Sequence, residues 1–286
     1  MDWENNGAKI CLFCIFLLVL ANAYVWQFIF SLDGNLKIIF FDVGEGDSIF
    51  VVTPQGHQIL IDGGPGERVL DKLAKVMPFW DKSLDLVVLT HPEYDHLSGL
   101  NKVLANYQVA NVLWNGIKRD TAVFREWEEA LKKEKAKVII AQAGEQLKAG
   151  MLWGMVLNPL NSLQGQLFEK DSNVSSVILR FIYGRNSFLL TGDAPEKAEQ
   201  AVISTDTDLD TQLLKVAHHG SRTSTSLDFL ANVKPQVAVI SCGRNNLYGH
   251  PDQTVLQNLL EFGINVLRTD LRGDIIVTAD GSNLHF

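Results

Sequence analysis

Between Thr90 and His96 the chain reads Thr-His-Pro-Glu-Tyr-Asp-His, which puts the imidazoles of His91 and His96 and the carboxylates of Glu93 and Asp95 within six residues. Imidazole nitrogen and carboxylate oxygen are the usual protein ligands of zinc, manganese and iron. A tight loop can aim several of them at one point, which a helix or strand at this spacing could not do. Two later groups have the same chemistry. Asp193 follows the apolar run Ser187 to Thr191, and a carboxylate there could bridge two metals about 3.5–4 Å apart. His218 and His219 follow Leu213 to Ala217 and precede Gly220, where the backbone can turn sharply. Neighbours on an extended chain face opposite ways, so one of the pair is expected as a ligand. His219 is assigned that role, and His218 either a supporting contact to the ligands or a contact to the substrate oxyanion. The expected ligand set is therefore His91, Glu93, Asp95, His96, Asp193 and His219, holding one or two divalent ions, Zn or Mn. Asp62, before Gly63-Gly64, and Asp47 are expected to orient the metal loop by hydrogen bonds. Near the C-terminus Asn245, Tyr248 and His250 offer donors for a phosphate or leaving group, with Lys215 and Arg244 as charges. Asp95, His218, Lys215 and His250 are the expected catalytic residues. His57 and His285 fit no cluster and are read as surface residues.

These side chains need elements to present them. Apolar runs at Lys37 to Val43, Ser48 to Thr53, Gln58 to Ile61 and Leu84 to Thr90 read as strands, with a helix from about Glu67 to Val76 between the last two. Leu97 to Asn106 and about Thr121 to Lys135 read as helices. Glu128, Glu129, Lys132 and Lys133 put opposite charges four residues apart on the second of these, the pattern of a solvated face. Further strands are expected at Val109 to Trp114, Lys137 to Ala141, Leu152 to Leu157, Val174 to Phe181, Ser187 to Thr191, Leu213 to Ala217, Val237 to Ser241 and Ile275 to Thr278, and a short helix after Pro195. No repeat, low-complexity tract or long linker divides residues 33–286, which read as one α/β domain.

Ile10 to Leu32 is apolar apart from Asn22, Gln27 and Ser31, long enough to cross a bilayer core of about 30 Å. Residues 10–32 are read as a single-pass membrane anchor behind a tail of residues 1–9. The small-x-small triplet Ala21-Asn22-Ala23 admits a cleaved signal peptide instead, but the run stays apolar through Phe30. A net charge of -8 argues against broad coating of nucleic acid, which needs clustered Lys and Arg, and leaves a locally held strand open as substrate. Cys11 and Cys14 lie in the apolar run and Cys242 stands alone, so no disulfide framework or Cys-based zinc site is available.

The pattern Thr-His-x-x-x-Asp-His-x-x-Gly-Leu at Thr90–Leu100 resembles the signature loop of the metallo-β-lactamase superfamily. Glu93 stands where that family usually has a second histidine, and an acidic residue there is typical of the C-terminal hydrolase domain of ComEC-type DNA-internalisation proteins. Phe41–Ser48, Ile59–Gly64, Leu189–Asp193, Leu214–Ser221 and Gly243–Pro251 match that branch in the same order. The resemblance covers about residues 37–280. It implies a four-layered αβ/βα sandwich with metals at one edge of two facing sheets, and a DNA nuclease on the extracytoplasmic side of a membrane. A further family histidine, expected near Asn173 to Ser176, is missing here, which makes the ligand set rich in oxygen and tolerant of manganese. Metal-assisted phosphodiester hydrolysis is the expected activity. Hydrolysis of small phosphoesters at the cell envelope and a non-catalytic module that keeps metal for stability are the alternatives.

Overall fold

The computed structural model describes residues 9–20, 22 and 34–286. The chain divides into two units, Met1–Asn35 and Leu36–Phe286. In the first, residues 9–20 form a helix, α1, whose Leu12, Phe13, Phe16 and Leu18 side chains are exposed. The expected anchor runs on from Ala23 outside the described residues. Among the described residues no helix is long and apolar enough to cross a membrane.

The second unit is built on two sheets. The first takes β1 (Leu36–Phe40), β2 (Ile49–Val52), β3 (Gln58–Ile61), β4 (Ser83–Leu89), β5 (Gln108–Trp114) and β6 (Lys137–Ile140), and adds β14 (Ile275–Ala279) and β15 (Leu284–His285) in the order β15-β14-β1-β2-β3-β4-β5-β6. The second takes β7 (Gln146–Ala149), β8 (Leu152–Asn158), β9 (Ile178–Tyr183), β10 (Asn186–Leu190), β11 (Leu213–Lys215), β12 (Val237–Ile240) and β13 (Asn265–Arg268) in the order β13-β12-β11-β10-β9-β8-β7. The strands nearest the site, β3-β4-β5 in one sheet and β10-β11-β12 in the other, run parallel.

Alternation along each strand makes the layers. Ile38 and Phe40 face inward to meet Leu179, Phe181, Phe188 and Leu190 of the other sheet, in a core between the sheets. Ile39 and Phe41 face outward, where α2 (Arg68–Val76), α3 (Tyr94–Asn106) and α4 (Ala122–Lys133) cover them with Leu73, Leu100, Val103 and Trp127. On the far face Leu189, Leu214 and Ala238 pack under α5 (Glu196–Ile203), α6 (Leu227–Val233) and α7 (Gln253–Glu261). The result is helix, sheet, sheet, helix. Strands buried on both faces read as continuous apolar runs, and full burial of each Leu, Ile or Phe contributes about 1.5–3 kcal/mol. The strand expected from Val174 begins later, at Ile178, because Asn173–Ser175 closes a 3-10 turn. The strand expected to Ala217 ends at Lys215, where the chain breaks away toward the two histidines.

A close backbone contact sets where α3 begins. Gly63 N donates to His96 O at 2.8 Å and Gly99 N donates to Gly64 O at 2.9 Å. A Cβ on Gly99 would lie 2.0 Å from Gly63 O, and one on Gly63 would lie 2.4 Å from Leu100 N. Both obstacles are backbone and cannot swing aside. Gly99→Ala is therefore expected to cost about 3 kcal/mol, the upper end of ordinary overpacking, and to displace the first turn of α3 with Asp95 and His96. Urea unfolding alongside metal titration of the variant measures both effects.

Candidate metal centre

The residues singled out by their chemistry converge where parallel strands end. Asp62 follows β3, Thr90 and His91 follow β4, Asp193 follows β10, and Ser241 follows β12. His218 and His219 lie just beyond β11. This is where open parallel sheets habitually place their sites.

One ring nitrogen of each imidazole is tied back and the other is left bare. Asp62 accepts from Thr90 N at 2.8 Å and from Thr90 Oγ1 at 2.7 Å, and its Oδ2 lies 2.8 Å from His96 Nδ1. A carboxylate can only accept, so His96 carries its proton on Nδ1 and turns Nε2 away from Asp62. Thr90 Oγ1 already donates its hydrogen bond to Asp62, so at 3.0 Å it accepts from His91 Nδ1. His219 Nδ1 donates to the carbonyl of Ser241 at 2.9 Å. The Nε2 atoms of His91, His96 and His219, together with Asp193 Oδ1, are buried and, among the described residues, have no well-aligned hydrogen-bond partner. Buried polar atoms are nearly always satisfied, and four orphans at one spot fit ligands of a cation. Imidazoles held by Nδ1 to oxygen are the usual form of metal-binding histidine.

Asp95, His96, Asp193 and His219 bring one ligand atom each to within 4.8 Å of one another. His96 Nε2 lies 3.3 Å from Asp193 Oδ1, and His219 Nε2 lies 3.3 Å from Asp95 Oδ2 and 3.5 Å from Asp193 Oδ2. Asp47 stands behind this set with Asp62 and His96. Burial works against protonation of His96, but Asp193, Asp62 and Asp95 outweigh it and hold the imidazole well above its ordinary pKa. Burial likewise opposes a proton on His219, yet Asp193, Asp95 and Asp47 lift it to about 9. For Asp193, burial is overcome by His219 and His96, which keep the carboxyl well below the usual range. A divalent cation would take the place of those protons. His91 differs: burial, reinforced by the charge of His96, pushes it down to about 3, so it presents a neutral nitrogen. Its ring lies 4.2 Å from that of His96.

Other expected site residues stand elsewhere. Glu93 is engaged away from the cluster: Arg119 Nη2 donates to its Oε2 at 3.1 Å, and Ser172 gives its Oε1 a backbone bond at 3.1 Å and a hydroxyl bond at 2.6 Å. Arg119 also donates to the carbonyls of Phe168 and Lys170, so one guanidinium fastens the metal loop to the 168–172 segment. Glu93→Gln is expected to keep the metal stoichiometry of the wild type while loosening this segment. Metal content after dialysis, read beside proteolysis rates in residues 164–173, checks it. Lys215 is fully buried, donating to Val216 O at 2.8 Å and lying 2.7 Å from Asp47 Oδ2, so its charge is spent inside the fold.

His218 and His219 are not extended. Both adopt left-handed backbone, φ 49 and φ 53, and the Nε2 atoms of both approach Asp193. His218 Nε2 lies 3.9 Å from Asp193 Oδ2, and the ring shares the wall of a cleft of about 250 Å³ with His250, Tyr248, Lys170 and Asn173. His250 is set by Glu45, whose Oε1 lies 3.2 Å from Nδ1 and whose Oε2 accepts from Gly243 N at 2.8 Å. Glu45, Arg119, Lys170 and Ser172 were not singled out in the sequence. Glu45 sits inside the quoted Phe41–Ser48 match, and the other three carry no local signal.

Residues 42–244 match the model of the metallo-beta-lactamase superfamily, and the chain belongs to that superfamily. Within it the similarity is to competence proteins of the ComEC type. The chain is 33% identical over 272 residues to ComE operon protein 3 of Bacillus subtilis, covering 86% of this chain and 33% of that protein. It is 30% identical over 241 residues to Recombination protein 2 of Haemophilus influenzae, covering 82% of this chain and 28% of that protein. The chain thus spans about a third of the length of these curated relatives. Among solved structures, the metallo-beta-lactamase fold protein YhfI from Bacillus subtilis superimposes with a TM-score of 0.57 at 14% identity, over 85% of this chain and 100% of that one, which speaks to the fold.

Proposed function

We propose that the chain is a metal-dependent phosphodiesterase acting on DNA. The observation that carries this reading is the set of buried Nε2 atoms of His91, His96 and His219 beside Asp193 Oδ1, which among the described residues have no well-aligned hydrogen bond, next to a cleft open to solvent. Asp95, His96, Asp193 and His219 would hold a divalent ion, with His91 and Asp193 available to a second. Such ions polarise a phosphoryl oxygen and acidify a bound water. The protein's own groups do the rest. Asp62 and the Ser241 carbonyl fix the protons of His96 and His219 on Nδ1. Asp95, with a third of its side chain accessible, reaches the cleft, where it would orient a water for attack. His218 and His250 stand as donors for the phosphate or the leaving oxygen, and Lys170 gives the rim a positive charge. Likeness to a protein named Recombination protein 2 supports a nucleic-acid substrate. The exposed apolar side chains of α1 support a membrane tether over residues 10–32, and the ComEC likeness an extracytoplasmic hydrolase unit.

The test is hydrolysis of single-stranded DNA and of bis-p-nitrophenyl phosphate by the detergent-solubilised chain with Mn²⁺ or Zn²⁺, beside an Asp95→Ala/His96→Ala variant. Both substrates should be cleaved, and chelator or the double substitution should abolish both activities. Metal binding without cleavage of either would overturn the reading. The cleft is small, about 250 Å³, which favours as second reading a small phosphoester. Cleavage of the small ester alone would select it.

A further inference from the structure

We propose that a second cleft beside the metal centre, between Tyr94 and Tyr248, is a nucleobase subsite that takes a base flanking the scissile phosphate of a single DNA strand. This rests on the phosphodiesterase reading and extends it to how the strand is held. The cleft measures about 480 Å³ and shares Glu45, Asp95 and Tyr248 with the lining of the first. A chain with its phosphate at the metal centre therefore has a direct path into it.

Its walls suit a base. Tyr248 is 75% exposed and Tyr94 57% exposed, an unusual outlay of aromatic surface at the mouth of one cleft. Tyr248 is also held in place, its ring stacked on His250 at 5.8 Å and 21°. Tyr94 sits in the first turn of α3, one residue before Asp95, so the helix that presents a metal ligand presents this ring too. Pro65 adds an apolar surface and Arg68 a cation, and Arg68 is braced by a 3.0 Å bond from Nη1 to Val43 O. The two carboxylates in the lining are already engaged, Glu45 by His250 and Gly243 N, Asp95 by the metal-site histidines. Aromatic faces flanked by a cation are how single strands are gripped without sequence preference, each stacked base being worth about 1–3 kcal/mol.

The experiment measures binding of a fluorescein-labelled oligothymidylate, and of an abasic strand of the same length, to the full chain in Ca²⁺ by anisotropy. Tyr94→Ala and Tyr248→Ala should each weaken oligothymidylate binding about tenfold, corresponding to one stacked base. Tyr94→Phe and Tyr248→Phe should restore it, and Tyr94→Ala should bind the abasic strand as the wild type does. Alanine variants that bind oligothymidylate like the wild type, or that lose both strands equally, would overturn the subsite. A wild type that binds oligothymidylate through these tyrosines but cleaves no phosphodiester in Mn²⁺ would sink the phosphodiesterase reading and leave the base site standing.

Discussion

Asp193→Asn is expected to lower metal affinity and phosphodiester hydrolysis by about a hundredfold or more while the protein stays folded. Removing only an outer partner of a metal ligand typically costs about 10–100-fold, and Asp193 is proposed as a ligand in its own right. Its two oxygens stand 3.3 Å from His96 Nε2 and 3.5 Å from His219 Nε2. Asparagine keeps the shape and the backbone bond from Asp193 N to Ser176 Oγ, but offers one acceptor and no charge. The negative charge that balances two buried imidazoles would be lost at the point where it matters most. Calorimetric titration with Mn²⁺, paired with circular dichroism, separates loss of the centre from loss of the fold. An asparagine variant that binds metal as the wild type does would remove Asp193 from the centre.

Lys215→Met should unfold the protein more readily, by about 3–5 kcal/mol in urea denaturation, because it strands a buried carboxylate. Lys215 and Asp47 are almost wholly shielded from solvent and 2.7 Å apart, and Asp47 Oδ1 lies 3.6 Å from His219 Nδ1. Pairing Lys215→Met with Asp47→Leu should recover much of the loss, since an apolar pair of similar volume tolerates burial that a lone charge does not. The sequence suggests a different role for this lysine, as a charge for the substrate. If that role held, Lys215→Met would depress turnover and leave the urea midpoint unchanged.

What could be read from the sequence follows from where each strand sits. The C-terminal halves of β4 and β10, with β11 and β12, are buried on both faces, so they appear as short apolar runs, and the polar residues at their ends stand out. The edge strand β7, Gln-Leu-Lys-Ala, is half exposed and offers no such run, and β13 is a polar-flanked edge of the same kind. Neither was anticipated, nor were α6 and α7. The role of Glu93 was obscured for a different reason. Its partners are Arg119, 26 residues away, and Ser172, 79 residues away, and no local pattern pairs them. For the histidine pair only the extended backbone expected of it differs, since both residues take positive φ.

Asp95 and His96 come from the first sheet's side of the sandwich, and Asp193 and His219 from the second's. Of these four ligand atoms each half supplies two. A cation bound there is a clasp across the open edge of two slabs that otherwise meet through interdigitated apolar side chains. Affinity for the ion thus becomes a gauge of how well the slabs are seated: a substitution deep in the shared core, far from any ligand, should first show itself as a weaker hold on metal.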